Sequence, residues 1–95
     1  MTGTTRSSAD LDIRRRKVLF RSWHRGMREV DLILGAFADA EIGTLSDEEL
    51  AIYESFMAEP DGDILKWVTG EAAVPPHHDT GIFSRILSYR GNASA

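Results

Sequence analysis

Apolar residues recur along the chain at spacings of three and four, in short blocks punctuated by Gly, Pro and acidic clusters. Val18, Leu19, Phe20 and Trp23 follow two candidate caps, Asp10 and Asp12, and predict a first helix running to about His24. Gly26 then interrupts the pattern and suits the left-handed backbone that closes a helix. A second helix over residues 27–40 places Val30, Ile33, Leu34, Phe37 and Ala40 on one stripe. Leu32 and Ala36 widen that stripe, which makes this the most buried helix.

Ser46 followed three residues later by Glu49 forms a capping box and starts a third helix with Leu50, Tyr53, Phe56 and Met57 on its apolar face. Glu59-Pro60-Asp61-Gly62 stops it, and Asp63 is expected to cap a short fourth helix carrying Ile64, Leu65, Trp67 and Val68 up to Gly70. After the Pro75-Pro76 linker, Asp79 or Thr80 caps a last helix with Ile82, Phe83, Ile86, Leu87 and Tyr89. No strand-like alternation and no internal repeat interrupt this pattern. The reading is an all-α fold, a small single-domain bundle of five short helices over residues 11–90, each too short to be stable alone. A disordered tail is expected over residues 1–10 and a frayed end over residues 91–95.

Composition narrows the function. With 95 residues, 42% hydrophobic and 27% charged, the chain has material for one thin core and little for a deep, water-excluding catalytic cavity. A binding role is therefore favoured over an enzyme. The absence of cysteine removes disulfides, thiolate nucleophiles and Cys-ligated metal centres. The longest apolar stretch, residues 30–40, is broken by Asp31, Gly35 and Asp39, so a soluble protein without membrane insertion is expected. The Ser- and Thr-rich residues 1–9 lack a signal-peptide core, and Asp10 and Asp12 follow too quickly for a typical transit peptide.

Charge is distributed unevenly. Residues 1–30 carry a net +5 and the remaining 65 a net −9, within an overall −4. Arg14-Arg15-Arg16-Lys17 invites a rival reading, a small regulatory or nucleic-acid-binding helical module using the basic first helix. Aromatic interleaving is poor and the acidic remainder would repel a polyanion, so the run reads first as a solvated helix face and no nucleic-acid partner is expected. His24, His77 and His78 with Asp79 are the conceivable metal ligands. Adjacent histidines diverge in helical geometry and no Cys supports them, so they read as a loop pair with no metal site. The acids between residues 41 and 63 show no spacing that singles out a catalytic pair.

The most specific feature is Arg25-Gly26-Met27-Arg28-Glu29, an Arg-Gly-x-x-Glu motif at the junction of the first two helices. Gly26 lets another backbone approach, Arg25 offers a planar fork of five donors, and Glu29 follows one helical turn later. Taken alone, the motif reads first as a helix C-cap at Gly26 with an intramolecular Arg25–Glu29 pair, the commoner meaning of such residues. With Asp31, Leu45-Ser46-Asp47-Glu48-Glu49-Leu50, Tyr53, Glu59-Pro60 and Asp63-Ile64-x-x-Trp67, it resembles the small FAD assembly factors of the SdhE type, also called succinate dehydrogenase assembly factor 2. The likeness runs from about Ile13 to Tyr89 and is least over residues 71–79 and in both tails.

That resemblance implies an assembly chaperone, without enzyme activity of its own. Its partner would be the flavoprotein subunit of succinate dehydrogenase or fumarate reductase, and it would promote covalent attachment of FAD to a histidine of that subunit. From the sequence itself a monomer is expected, and the lack of a Gly-rich phosphate loop after a strand argues against tight dinucleotide binding, so FAD is expected to belong to the partner; the expected location is the cytoplasm or, in a eukaryote, the mitochondrial matrix. Carried onto this chain, partner binding falls on Arg25, Gly26 and Glu29, with Met27, Arg28, Arg21, Asp31 and Asp63 around them. No catalytic residue is implied.

Overall fold

A computed structural model describes residues 10–94. Five α-helices form: α1 (Ile13–Trp23), α2 (Arg28–Glu41), α3 (Asp47–Met57), α4 (Asp61–Thr69) and α5 (Gly81–Leu87), with 3-10 turns at Pro76–His78 and Arg90–Ser94. Among the described residues there is no strand, so the fold is the all-α bundle that the apolar spacing predicts. The tail expected over residues 1–10 lies, up to residue 9, outside the described residues.

Short-range chemistry sets most helix starts. The Asp12 carboxylate accepts the Arg15 N–H at 2.8 Å and caps α1. Ser46 and Glu49 exchange hydrogen bonds of 3.1 and 2.9 Å, the complete capping box of α3. Thr80 accepts the Phe83 N–H at 3.2 Å and caps α5. Gly70 closes α4 at φ +81°, where a side chain would crowd its own backbone.

One expectation is corrected. The fourth helix starts two residues before Asp63, with Pro60 extended at the N-cap and its carbonyl accepting from Asp63 and Ile64 at 3.1 and 3.0 Å. Proline has no N–H to leave unsatisfied at a helix start, so the run that ends α3 also begins α4. Asp63 is an exposed first-turn residue and caps nothing. At the other end, Arg90–Ser94 forms a 3-10 turn lying on α2, with Ala93 packed against the core. Tyr89 is the cause: its ring meets Phe37 edge-on at 5.8 Å and its hydroxyl donates to Glu41 at 2.7 Å, which lays the following turn on α2.

The core is built around α2, which packs against α1, α4, α5 and the terminal turn. Val30, Ile33, Leu34, Phe37 and Ala38 are buried there; Ala40, expected in the stripe, is exposed. From α3 come Leu50, Tyr53, Phe56 and Met57. Burying each large side chain of this set contributes about 1.5–3 kcal/mol, and that packing is what holds helices of 7–14 residues in place. On α1 the buried residues are Val18, Leu19 and Ser22. The Ser22 hydroxyl lies 2.7 Å from that of Tyr53 and also reaches the Val18 carbonyl at 2.8 Å, which gives the buried phenol a polar partner. Burial pushes the Tyr53 phenol well above its ordinary range. Phe20, predicted among the core contacts, is 62% exposed.

Candidate functional site

The Arg-Gly-x-x-Glu run occupies the turn between α1 and α2. His24 follows α1 as its C-cap, its N–H still reaching the Arg21 carbonyl at 3.2 Å; Gly26 comes next but one at φ +99° and Met27 is extended. Met27 provides no side-chain cap. Instead Asp31, in the first turn of α2, reaches back and accepts the Arg25 backbone N–H at 2.7 Å. Met27 packs partly buried against the core. Met27 and Asp31 thus pin the turn from inside, and Asp31 does so in the helix turn where negative charge is favoured.

The Arg25 guanidinium also turns inward, and its side chain is only 14% exposed. Nε donates to Asp61 at 2.7 Å, and the two terminal nitrogens donate to the carbonyls of Met57 and Glu59, the latter at 3.0 Å. The Met57 carbonyl ends α3 and that of Glu59 follows two residues later in the turn, where intrahelical partners run out and the helix dipole is negative. Asp61 is the first residue of α4. One planar fork therefore ties the α1–α2 turn to the α3–α4 turn. The Arg25–Glu29 pair does not form: Glu29 is exposed and its side chain makes no hydrogen bond or ion pair among the described residues.

Gly26, Arg28 and Glu29 remain on the open face, all exposed. A Cβ at Gly26 would meet nothing within 4 Å, so the positive φ, and no crowding inside the molecule, selects glycine. Arg21, exposed one turn before Arg25, borders a depression of about 80 Å³ shared with Arg25, Glu54, Met57 and Ala58. The structure therefore gathers seven of the eight singled-out residues at one junction, with Arg25, Met27 and Asp31 as its frame. Asp63 stands apart on α4, in the helical turn that Asp61 opens.

Beside this junction lies a feature absent from the sequence reading. The exposed Phe20 ring stacks on His24 at 3.9 Å and 14°, and with Arg16, Lys17 and Arg21 it lines a shallow depression of about 350 Å³. Ile13, Lys17, Phe20 and His24 follow one another at spacings of 4, 3 and 4, a second helical face distinct from that of Val18, Leu19 and Ser22. A helical-wheel count separates the two.

Three residues of the basic run have partners within the chain. Arg14 pairs with Glu54 at 2.6 Å. Arg15 pairs with Asp12 at 2.7 Å and Asp47 at 3.2 Å, and donates to the Leu45 carbonyl at 2.7 Å. Arg16 donates to the Leu11 carbonyl at 2.9 Å. The contacts of Arg14 and Arg15 brace α1 against α3 and the loop before it, while Arg14, Arg16 and Lys17 stay exposed, as a solvated helix face does. The histidine pair differs from expectation as well. In the Pro76–His78 turn, the Nε2 atoms of His78 and His77 lie 2.6 and 3.7 Å from the same Oε2 of Glu59, so adjacency does not make them diverge.

Comparison with known proteins places this geometry in a family. Residues 16–90 match the family model described as the flavinator of succinate dehydrogenase. The chain is 35% identical over 84 residues to the mitochondrial succinate dehydrogenase assembly factor 2 of Dictyostelium discoideum, covering 88% of this chain and 60% of that protein. It is 33% identical over 78 residues to the FAD assembly factor SdhE of Acetobacter pasteurianus, covering 82% and 72%. To the mitochondrial succinate dehydrogenase assembly factor 2 of Debaryomyces hansenii it is 37% identical over 82 residues, covering 86% and 58%. The chain thus spans 58% to 72% of the length of these curated relatives. Among the described residues no helix is long and apolar enough to cross a membrane. With the family match running from α1 to the residue after Tyr89, and through the whole Arg25–Glu29 junction, the chain belongs to the family of succinate dehydrogenase flavinators.

Proposed function

We propose that this chain is an assembly chaperone that binds the flavoprotein subunit of succinate dehydrogenase, with that of fumarate reductase as a second client, and promotes covalent attachment of FAD to a histidine of that subunit. The observation that carries the reading is the division of labour at the α1–α2 turn. Arg25 and Asp31 are used up in fixing the turn, while Gly26, Arg28 and Glu29 stand exposed, the two charged residues without partners among the described residues. A surface held rigid before binding loses little conformational freedom on docking. Gly26 admits a partner backbone, and Arg28 and Glu29 offer opposite charges one residue apart.

The chain's part is positional. A chaperone that binds one arrangement of the flavoprotein more tightly than others raises the population of that arrangement, by no more than its differential affinity. The bond to FAD then forms among residues of the partner, and this chain contributes no nucleophile or base. The proposal leaves FAD with the partner because a dinucleotide diphosphate is ordinarily cradled by a strand, a Gly-rich loop and a helix N-terminus. The described residues contain no strand from which to build that unit. A monomer acting in the bacterial cytoplasm or the mitochondrial matrix fits the same reading. The internal commitment of Arg14, Arg15 and Arg16 supports a protein partner over a nucleic acid.

The test is co-expression with the flavoprotein subunit in a host lacking its own assembly factor, followed by a denaturing gel read for flavin fluorescence. Covalent flavin survives denaturation, so a fluorescent flavoprotein band that depends on this chain is expected. A band of equal strength without the chain, or none with it, would overturn the proposal.

A further inference from the structure

Glu59 faces two ways. Its carbonyl accepts from Arg25, as part of the clamp, and its carboxylate meets both histidines of the Pro76–His78 turn. One ligand atom from each of Glu59, His77 and His78 falls within a group no wider than 4.8 Å. We propose that these three residues form a binding site for a divalent transition-metal ion of the zinc type.

The donor set suits that ion. Two imidazole nitrogens and one carboxylate are a recurring zinc triad that leaves a fourth position for water. Zinc–nitrogen and zinc–oxygen bonds of about 2.0–2.2 Å in a tetrahedron hold donor atoms roughly 3.2–3.6 Å apart. His77 Nε2 already stands 3.7 Å from Glu59 Oε2; His78 Nε2, at 2.6 Å, needs to withdraw by less than about 1 Å. The ion takes the place of the hydrogen between His78 and Glu59. His78 must then present Nε2 without its proton, which moves to Nδ1 or leaves to solvent.

The positions are also largely organised before binding. His78 is 4% exposed and sits edge-on to Phe56 at 5.5 Å. Pro75 and Pro76 restrict the backbone ahead of it, and hydrogen bonds from His78 to Pro75 and from Asp79 to Pro76, at 2.9 and 3.2 Å, close the turn. The Glu59 N–H is held by the Phe56 carbonyl at 3.1 Å. His77, with its side chain 68% exposed, gives the ion a way in and leaves the fourth position open to water. A bound ion would link the α3–α4 turn to the turn before α5, through the residue whose carbonyl Arg25 already holds.

The experiment is calorimetric titration of zinc chloride into the full chain, purified metal-free and without a histidine tag, with thermal melts at matched zinc. One zinc per chain is expected, with a melting temperature that rises as zinc increases. His77→Ala removes an exposed ligand without disturbing the core, and Glu59→Gln keeps the backbone carbonyl that Arg25 uses. Each should weaken binding by more than the roughly tenfold that loss of an outer-shell group costs, and should abolish the zinc-dependent rise. His24→Ala should bind as the wild type does. Failure of the wild-type chain to bind zinc stoichiometrically, or unchanged binding by folded His77→Ala, would overturn the site.

Discussion

Trp23 packs directly on the backbone of Gly35. A side-chain carbon at Gly35 would stand 2.3 Å from Trp23 Cδ2 and 2.4 Å from Cε2, well inside contact distance, and the indole Nε1 donates to Asp39 at 3.2 Å, one turn further along α2. The last residue of α1 is thereby anchored to the middle of α2, just before the chain enters the Arg25–Glu29 turn. In the sequence Gly35 reads only as an interruption of an apolar stretch. In the structure its missing side chain lets the two helices approach closely enough to define that turn.

Two opposing effects decide Gly35→Ala. Replacing a mid-helix glycine with alanine gains about 1 kcal/mol of helix propensity. Displacing a packed indole costs about 1–3 kcal/mol, and weakening its hydrogen bond costs about 1 more. Because the overlap involves the ring system and no flexible chain end, the cost wins. A net loss of about 1–3 kcal/mol is expected, read from urea unfolding midpoints. Trp23→Ala should remove the clash, so the double variant should lose less than the two single variants added together. A Gly35→Ala protein more stable than wild type would show that the indole is not held there.

Arg25 is the other anchor, and its variants test the fold before they test function. Arg25→Ala leaves Asp61 without its partner and the carbonyls of Met57 and Glu59 without this donor. Roughly 2–4 kcal/mol of stability should be lost, the range for breaking a largely buried charged network. Arg25→Lys should recover little of it, since an ammonium cannot fill three acceptors with the geometry of the fork. Arg25→Ala and Asp61→Ala should be markedly non-additive in thermal melts. Additive losses would mean that the two side chains act separately.

Most helix boundaries were legible because their causes are local. Asp12, Ser46 with Glu49, Thr80 and Gly70 act on backbone within three residues of themselves. The apolar stripes of α2 and α3 were legible for the same reason, a constant period. What escaped was long-range. The partners of Arg25 lie 32 to 36 residues away, and the Glu59 that meets His78 is 19 residues distant, so neither contact leaves a mark on spacing. Hence Arg25, read as an outward fork or as the partner of Glu29, proves to be an inward clamp. Phe20 is a different kind of miss: its face follows from the helical period once the buried face is set at Val18, Leu19 and Ser22.

Acid should weaken the fold by a route visible in the caps. Hydrogen bonds from the Ser46 N–H and then pairing with Arg85 hold the Glu49 carboxyl below its ordinary range; the hydrogen bond from Arg14 does the same for Glu54. A carboxyl whose pKa is lower in the folded than in the unfolded chain stabilises the fold above the unfolded value, and loses that contribution as pH falls through the folded value. For these two groups the window lies at and below their ordinary pKa of 4.5. Melting temperature should therefore fall with decreasing pH from about pH 5 downward. Glu49→Gln should show a shallower fall, and an equal slope in wild type and variant would remove Glu49 from the account.

Glu29 separates binding from folding most cleanly, because the structure gives it no internal partner. It is exposed in the first turn of α2, where its loss forfeits a favourable interaction with the helix dipole worth only about 0.3–1 kcal/mol. Glu29→Ala should therefore melt within a few degrees of wild type, unlike Arg25→Ala. At an interface the balance changes, since truncating one partner of a desolvated charged contact costs about 2–5 kcal/mol of binding. Gly26→Ala is a less decisive probe, because a side chain at φ +99° strains the backbone by about 1–3 kcal/mol before any partner is involved. Arg28→Ala shares the exposure of Glu29 and serves as its companion. Both variants should remain folded and leave markedly less covalent flavin on the co-expressed flavoprotein subunit. Wild-type flavin incorporation with folded Glu29→Ala and Arg28→Ala proteins would move the docking surface away from the α2 turn, and the exposed Phe20–His24 stack on α1 would be the next face to test.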